Sequence, residues 1–200
     1  MVMKFERGVD REKLCFTQEV LAAFDFLTKE YSFRCVRKSA TFVRYESPNV
    51  FVNVYHGRGS YELGCEIGSL LSKIPENDKF TLSDIVQLAD AQKETGYTFF
   101  QASTVDRVKM LVPRLSELVK KYAVSALKGD KRTFEQLREL VQKNSDDYIK
   151  DMNLAHMRKR ADKAWHDKNY TKIIELYKTM QTDLNEIEKR RLKYAKKMIK

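Results

Sequence analysis

The spacing of apolar residues changes partway along this chain. Residues 41–67 alternate apolar and polar side chains in steps of two, whereas from about Leu82 onward the apolar residues recur every three or four positions. A period of two indicates a β-strand and a period near 3.6 indicates an α-helix. The sequence therefore predicts an α+β fold. An N-terminal helix would cover a three- to four-stranded antiparallel sheet, and a helical array would follow.

Two turn signals set the predicted register of the strands. A two-residue turn at Pro48-Asn49 would place Arg44 opposite Asn53, and a four-residue turn at 57–60 would place Val54 opposite Leu63. Both registers gather the apolar side chains on one face of the sheet. We expect that face to consist of Val43, Tyr45, Val50, Val52, Val54, Leu63, Cys65 and Ile67. A helix that starts at about Asp10 or Thr17 and ends at Tyr31 would cover it.

The helical region shows sequence signals for several helix boundaries. Thr81–Asp84 and Ser103–Asp106 resemble capping boxes, and Asp183–Glu186 is a third candidate cap. The predicted helices are 103–128, 133–143, 147–166, 170–180 and 184–199. We place the boundary between a sheet region at residues 1–78 and a helical region at residues 79–200, and expect the two regions to pack as one compact unit.

Charge and composition exclude several classes of protein. Residues 1–100 hold 13 Lys and Arg against 14 Asp and Glu, while residues 101–200 hold 25 against 14, so the net charge of +10 comes from the second half. An apolar fraction of 42% is typical of a globular protein. The chain has no apolar run of the length that a signal peptide or a membrane span needs. Three widely spaced cysteines favour reduced thiols in the cytoplasm over a disulfide framework.

The sequence contains no motif for a catalytic or cofactor site. It has no nucleophile elbow, no phosphate-binding glycine loop and no paired cysteine or histidine spacing of the kind that zinc requires. We therefore predict a non-enzymatic protein with no metal site and no small-molecule cofactor. His56 and Cys65 could approach each other across a hairpin, but two ligands do not form a zinc site.

The opposite face of the sheet is the first candidate site. It carries a mixture of aromatic and charged side chains, which is the composition of many protein interfaces. The candidate partner-binding residues are Arg44, Glu46, Phe51, Tyr55, Glu62 and Glu66. Three alternatives stay open: an ordinary solvated face, a face covered by the later helices, and a catalytic site. Glu62 and Glu66 would lie about 13 Å apart on one strand, too far to share one substrate atom.

The basic residues of the C-terminal helices are the second candidate site. Lys and Arg concentrated on one face of a helix are typical of nucleic-acid binding, and they equally suit an acidic protein partner. The candidate residues are Arg158, Lys159, Arg160, Lys189, Arg190, Lys193 and Lys196. The alternative is an ordinary soluble helix surface, because acidic residues interleave with these cations.

Parts of the chain resemble two known families. Ala161–Tyr177 and Leu184–Ala195 resemble about one repeat of a tetratricopeptide-type helical hairpin, with Asp167-Lys168 in place of the usual glycine. The segments Phe26–Phe33, Val43–Ser47 and Ser60–Leu63 are similar to small bacterial immunity-like proteins. That resemblance implies a cytoplasmic protein that binds and blocks a partner protein and catalyses no reaction.

Overall fold

A computed structural model describes residues 11–199, apart from the side chain of Glu76, and it confirms the α+β fold. Within these residues the sheet has six antiparallel strands, in the order β1-β2-β3-β4-β5, and β6 pairs with β4 beside β5. The strands are β1 Arg34–Ser39, β2 Phe42–Glu46, β3 Val50–His56, β4 Glu62–Ser69, β5 Lys79–Thr81 and β6 Phe100–Gln101.

Helices precede and follow the four longer strands along the chain. They are α1 Phe16–Ala23, α2 Asp25–Tyr31, α3 Leu82–Leu88, α4 Gln92–Thr95, α5 Val105–Tyr122, α6 Val124–Leu127, α7 Lys131–His166, α8 Tyr170–Thr179 and α9 Glu186–Met198. Short 3₁₀ turns occur at Arg11–Leu14, Pro75–Asn77 and Gln181–Asp183.

The predicted register is confirmed for one hairpin and is wrong for the next. Arg44 lies opposite Asn53, as the turn at Pro48-Asn49 requires. Val54, however, lies opposite Cys65 and not Leu63, because Leu63 lies opposite His56 and five residues, 57–61, separate the two strands. The error is two residues, and a shift of two keeps every side chain on its predicted face.

The predicted apolar face is buried and forms the centre of the main core. Its eight residues pack against apolar side chains from the helices, including Phe24 of the N-terminal segment and Leu115 and Val119 of α5. The sheet is therefore covered by α5 as well as by the N-terminal helices, whereas the sequence predicted only the latter. Burial of this apolar surface is the main favourable term that holds the sheet and helices together.

Several predicted helix boundaries differ in the structure. The N-terminal helix is two helices, because Phe24 has non-helical dihedral angles (φ −96°, ψ 13°); a start at Asp10 lies outside the described residues. The capping box at Thr81 is confirmed. The N-cap of α5 is Thr104 and not Ser103, and the N-cap of α9 is Asn185 and not Asp183. The helices predicted at 133–143 and 147–166 are the single helix α7.

Contacts divide the chain into two compact units, Met1–Val141 and Gln142–Lys200, and not at the expected boundary between residues 78 and 79. The reason is that α3, α5, α6 and the first turns of α7 contribute to the same core as the sheet, through residues such as Phe134 and Leu137. The second unit has its own core, in which Ile173 and Tyr177 of α8 and Ala195 of α9 are buried.

Candidate functional site

A chain of polar contacts crosses the face of the sheet that is turned away from the main core. We call this surface the outer face. Arg44 Nε donates to Glu46 Oε1 at 2.7 Å, and Arg44 Nη1 donates to Asn53 Oδ1 at 3.4 Å. Asn53 Nδ2 donates to Glu66 Oε2 at 3.3 Å, and Lys79 Nζ donates to the same oxygen at 2.9 Å. These contacts join β2, β3, β4 and β5, so the outer face presents charged groups in fixed positions.

An aromatic ring lies beneath this chain of contacts. Phe51 is opposite Gly68 in the sheet and occupies the space where a side chain at that position would lie. The guanidinium carbon of Arg44 is 4.1 Å from the centre of the Phe51 ring, a cation–π distance. Phe51 is 0% exposed as a result. The sequence predicted Phe51 as a contact residue, but its ring supports Arg44 and is not accessible to a partner.

Tyr55 repeats this arrangement further along the strand. It lies opposite Gly64 and over it, and its hydroxyl donates to Glu62 Oε1 at 3.4 Å. Burial, together with the negative charges of Glu62 and Glu66, raises the pKa of Tyr55 to about 12. The phenol therefore stays protonated at neutral pH and remains a hydrogen-bond donor.

The structure does not bring the two predicted carboxylates to a shared substrate position. Glu62 accepts from Tyr55, and Glu66 accepts from Asn53 and Lys79. Each carboxylate thus has its own partners on the sheet. Five of the six predicted residues are partly exposed on the outer face, and the sixth, Phe51, is buried beneath Arg44.

Two arginines of β1 extend the outer face, and neither is among the site residues predicted from the sequence. In the strand register, Arg34 lies opposite Glu46 and Arg37 lies opposite Arg44, so both arginines belong to the outer face. Strict alternation would send positions 34 and 37 to opposite faces, but a β-bulge between Cys35 and Arg37 adds one residue and restores Arg37 to the same face. The three basic residues of Arg34–Lys38 could have indicated a charged strand. No feature of the sequence, however, indicates the bulge that brings Arg34 and Arg37 to the same face.

The basic residues of the second unit divide into two groups. Arg158 Nε donates to Glu188 Oε1 at 2.8 Å, its Nη2 donates to the carbonyl oxygen of Asp183, and Glu188 is buried. Lys189 pairs with Glu186 at 2.8 Å on an exposed surface. Among residues 11–199, the other five predicted cations are exposed and have no ion-pair partner; they are Lys159, Arg160, Arg190, Lys193 and Lys196.

His56 is buried in the first unit and forms hydrogen bonds there. Its Nε2 lies 2.8 Å from the carbonyl oxygen of Ala102, so that nitrogen donates, and Nδ1 accepts from Arg11 Nη1 at 3.2 Å. Burial lowers the pKa of His56, and the charge of Arg11 lowers it further. The imidazole is therefore neutral and links the start of the described chain to the end of β6.

The described residues contain no group of three or more His, Cys, Asp or Glu side chains placed to hold a metal ion. None of the helices in this part of the chain has the length and apolar character needed to cross a membrane. A comparison of the chain with protein-family models, with curated proteins and with solved structures finds no match. The interpretation of the site therefore depends on its geometry.

Proposed function

We propose that the chain is a non-enzymatic, cytoplasmic protein-binding module whose partner docks on the outer face of the sheet. The observation that carries this proposal is the pair of arginines that the β1 bulge adds beside Arg44. Arg34, Arg37 and Arg44 form a basic edge next to Glu46. Arginine is enriched at the energetic centres of protein interfaces because one guanidinium donates several hydrogen bonds in a fixed geometry.

Fixed side chains support the same proposal. Binding normally costs free energy because flexible side chains become ordered at the interface. On the outer face, Arg44 is already held by Glu46, Asn53 and the Phe51 ring, and Glu66 is held by Lys79. Much of that ordering is therefore complete before a partner arrives.

An acidic partner fits this surface best, since its carboxylates would complement the arginines of β1 and β2. The resemblance to immunity-like proteins suggests that the partner is a toxic protein. The chain would neutralise it by occupying its surface, and no reaction would take place on the chain itself.

The test is a pull-down from nuclease-treated native lysate, followed by affinity measurements on the purified partner. We expect one stoichiometric protein that binds the wild-type chain and loses at least about tenfold in affinity with Arg44→Ala or Tyr55→Ala. Arg107→Ala is the matched control, because Arg107 is an exposed residue of α5. A partner that binds all three variants equally would show that the outer face is not its docking surface.

Nucleic-acid binding through the second unit is the alternative function. The five exposed cations with no ion-pair partner in the described chain favour it, since cations free of carboxylates are available to phosphates. A salt titration of single-stranded and duplex RNA and DNA would test it. Each phosphate contact should contribute about −0.7 to −0.9 to the slope of log affinity against log salt concentration.

Charge reversal separates the two groups of cations in the second unit. If nucleic acid binds through the cations that have no ion-pair partner, the double variant Lys193→Glu with Lys196→Glu should bind with a shallower salt slope. The change should equal the contribution of about two phosphate contacts. Lys189→Glu should have a smaller effect, because Lys189 is already paired with Glu186. A salt slope that does not change in either variant would refute this alternative.

A further inference from the structure

Strand β1 is an open edge of the sheet. Within residues 11–199 it pairs only with β2, and all six of its residues are exposed. An edge strand presents a row of unpaired backbone N–H and C=O groups that can accept another strand. Near its end, the Thr17 hydroxyl donates to the carbonyl oxygen of Ser39 at 2.6 Å, so that carbonyl is already occupied. The carbonyl oxygen of Arg37 has a weak contact with the Cys35 thiol at 3.8 Å, which a stronger backbone donor can displace. The segment available for pairing is therefore Arg34–Lys38.

Three of the five side chains of this segment are basic, and they lack ion-pair partners in the described part of the chain. Arg34 and Arg37 lie on the outer face, whereas Lys38, opposite Val43, lies on the other face. No carboxylate of the described chain forms an ion pair with any of these three residues. Arg37 also lies directly opposite Arg44, and like charges in this position repel each other across a strand pair. An added anion would relieve that repulsion.

The same charges decide which kind of strand can pair there. Two copies of this chain that met edge to edge would bring Arg34, Arg37 and Lys38 of each copy together, which disfavours self-association. An extended segment with acidic residues at every second position would instead place its carboxylates beside Arg34 and Arg37. Its backbone would then satisfy the open hydrogen-bonding groups of β1.

We propose that β1 binds an acidic, extended segment of a partner protein as an additional strand of the sheet. This inference rests on the proposed protein-binding function and adds the chemistry and the conformation of the segment that is recognised. Backbone hydrogen bonds would supply part of the affinity, and the arginines would select acidic side chains.

A synthetic peptide tests the proposal directly. The probe is an eight-residue fluorescent peptide in which glutamate alternates with valine or threonine, and binding to the full chain is followed by fluorescence anisotropy. We expect saturable binding, and hydrogen exchange at the amides of residues 34–38 should slow when the peptide is bound. A peptide of the same pattern with lysine in place of glutamate should not bind. Absence of binding at about 1 mM peptide would overturn the proposal.

Two controls separate strand addition from simple charge attraction. Arg34→Glu with Arg37→Glu should weaken binding at least about tenfold, while the matched double reversal Arg107→Glu with Lys109→Glu on α5 should leave it nearly unchanged. The second control changes the peptide backbone. Two peptides are compared, one with methyl groups on the backbone nitrogens of the odd-numbered residues and one with them on the even-numbered residues. One of the two should not bind and the other should bind normally, because the N–H groups of only one set of alternate residues face β1. Equal binding of both methylated peptides would overturn strand addition.

The outcome also distinguishes this inference from the proposed function. If the partner found by pull-down requires Arg44 and Tyr55 but tolerates Arg34→Glu with Arg37→Glu, the outer face is the docking surface and strand addition is wrong. If the partner does not depend on any of these residues, both the docking surface and the strand addition are wrong.

Discussion

Substitution of Gly68 by alanine should destabilise the sheet, because a side chain at that position has no free space. A Cβ on Gly68 would lie 2.5 Å from Phe51 Cε1 and 2.8 Å from the carbonyl oxygen of Asp78, and closer still to Phe51 Cζ. Carbon atoms pack favourably at about 3.5–4.0 Å. The Phe51 ring is fully buried under Arg44, and the Asp78 carbonyl accepts a backbone hydrogen bond from Ser69, so neither moves without breaking other contacts.

The magnitude follows from these contacts. Overpacking a buried site costs about 1–3 kcal/mol, and we expect Gly68→Ala to lie in the upper half of that range because a backbone atom is among the obstacles. Gly64→Ala should cost less, about 1 kcal/mol, since the partly exposed Tyr55 ring can tilt away and lose mainly its hydrogen bond to Glu62. Gly59→Ala should cost nothing, because a Cβ at that position would meet no atom within 4 Å beyond its chain neighbours.

Urea unfolding followed by circular dichroism measures these differences. With a urea dependence of about 2 kcal/mol per M, a loss of about 2 kcal/mol lowers the midpoint by about 1 M. Phe51→Leu combined with Gly68→Ala should recover part of the loss, because leucine occupies less of the space above Gly68. The reasoning is refuted if Gly68→Ala and Gly59→Ala unfold at the same urea concentration.

Two further predictions concern groups that are already paired within the chain. Because burial lowers the pKa of His56, the folded chain should lose stability as the pH falls below the unfolded value of 6.5, by about 1.4 kcal/mol for each unit of lowering. Urea unfolding at about pH 7.5 and about pH 5.5 should show this loss reduced in His56→Gln but retained in His156→Gln, an exposed control. Arg158→Met should destabilise the second unit by about 1.5–3 kcal/mol, because the buried Glu188 carboxylate loses the guanidinium that donates to Oε1 and keeps only the backbone N–H of Asn185 on Oε2. Lys159→Met should change thermal stability little, and equal effects of the two changes would contradict a structural role for Arg158.

The sequence was most informative where periodicity and a short turn act together. The hairpin β2–β3 has both, since strict alternation flanks Pro48-Asn49, and its register was predicted correctly. The next hairpin has five residues, 57–61, between its strands, with Tyr61 at positive φ (54°), whereas its glycines and serine predict a four-residue turn at 57–60. The faces of β4 were still correct, because burial restricts the register to steps of two.

Other elements gave too little signal to be found. β5 and β6 have three and two residues, too few for a period to be recognised. The break at Phe24 occurs in a sequence that is helical on both sides, and Phe24 is itself buried in the main core. The two helices predicted on either side of Asn144 are joined in α7, because the polar residues there are compatible with an exposed helix as well as with a loop.

The candidate site was predicted in part for a similar reason. Alternation placed Arg44, Glu46 and Tyr55 on one face, and the structure brings them to the outer face. The burial of Phe51 could not be predicted, because it depends on a glycine of a different strand. The position of Arg37 could not be predicted either, because it depends on a bulge that a single sequence does not mark.

The position of the single tryptophan gives the two units different optical signals. Trp165 lies in the second unit, where its ring contacts Tyr170 and Tyr194 and the Arg191 guanidinium carbon lies 5.2 Å from its centre. Tryptophan emission therefore follows the environment of that unit, whereas far-ultraviolet circular dichroism follows the backbone of both. The unfolding curves from the two probes superimpose only if the units unfold in one cooperative step. Thermal unfolding followed by both probes therefore tests whether the two units unfold together.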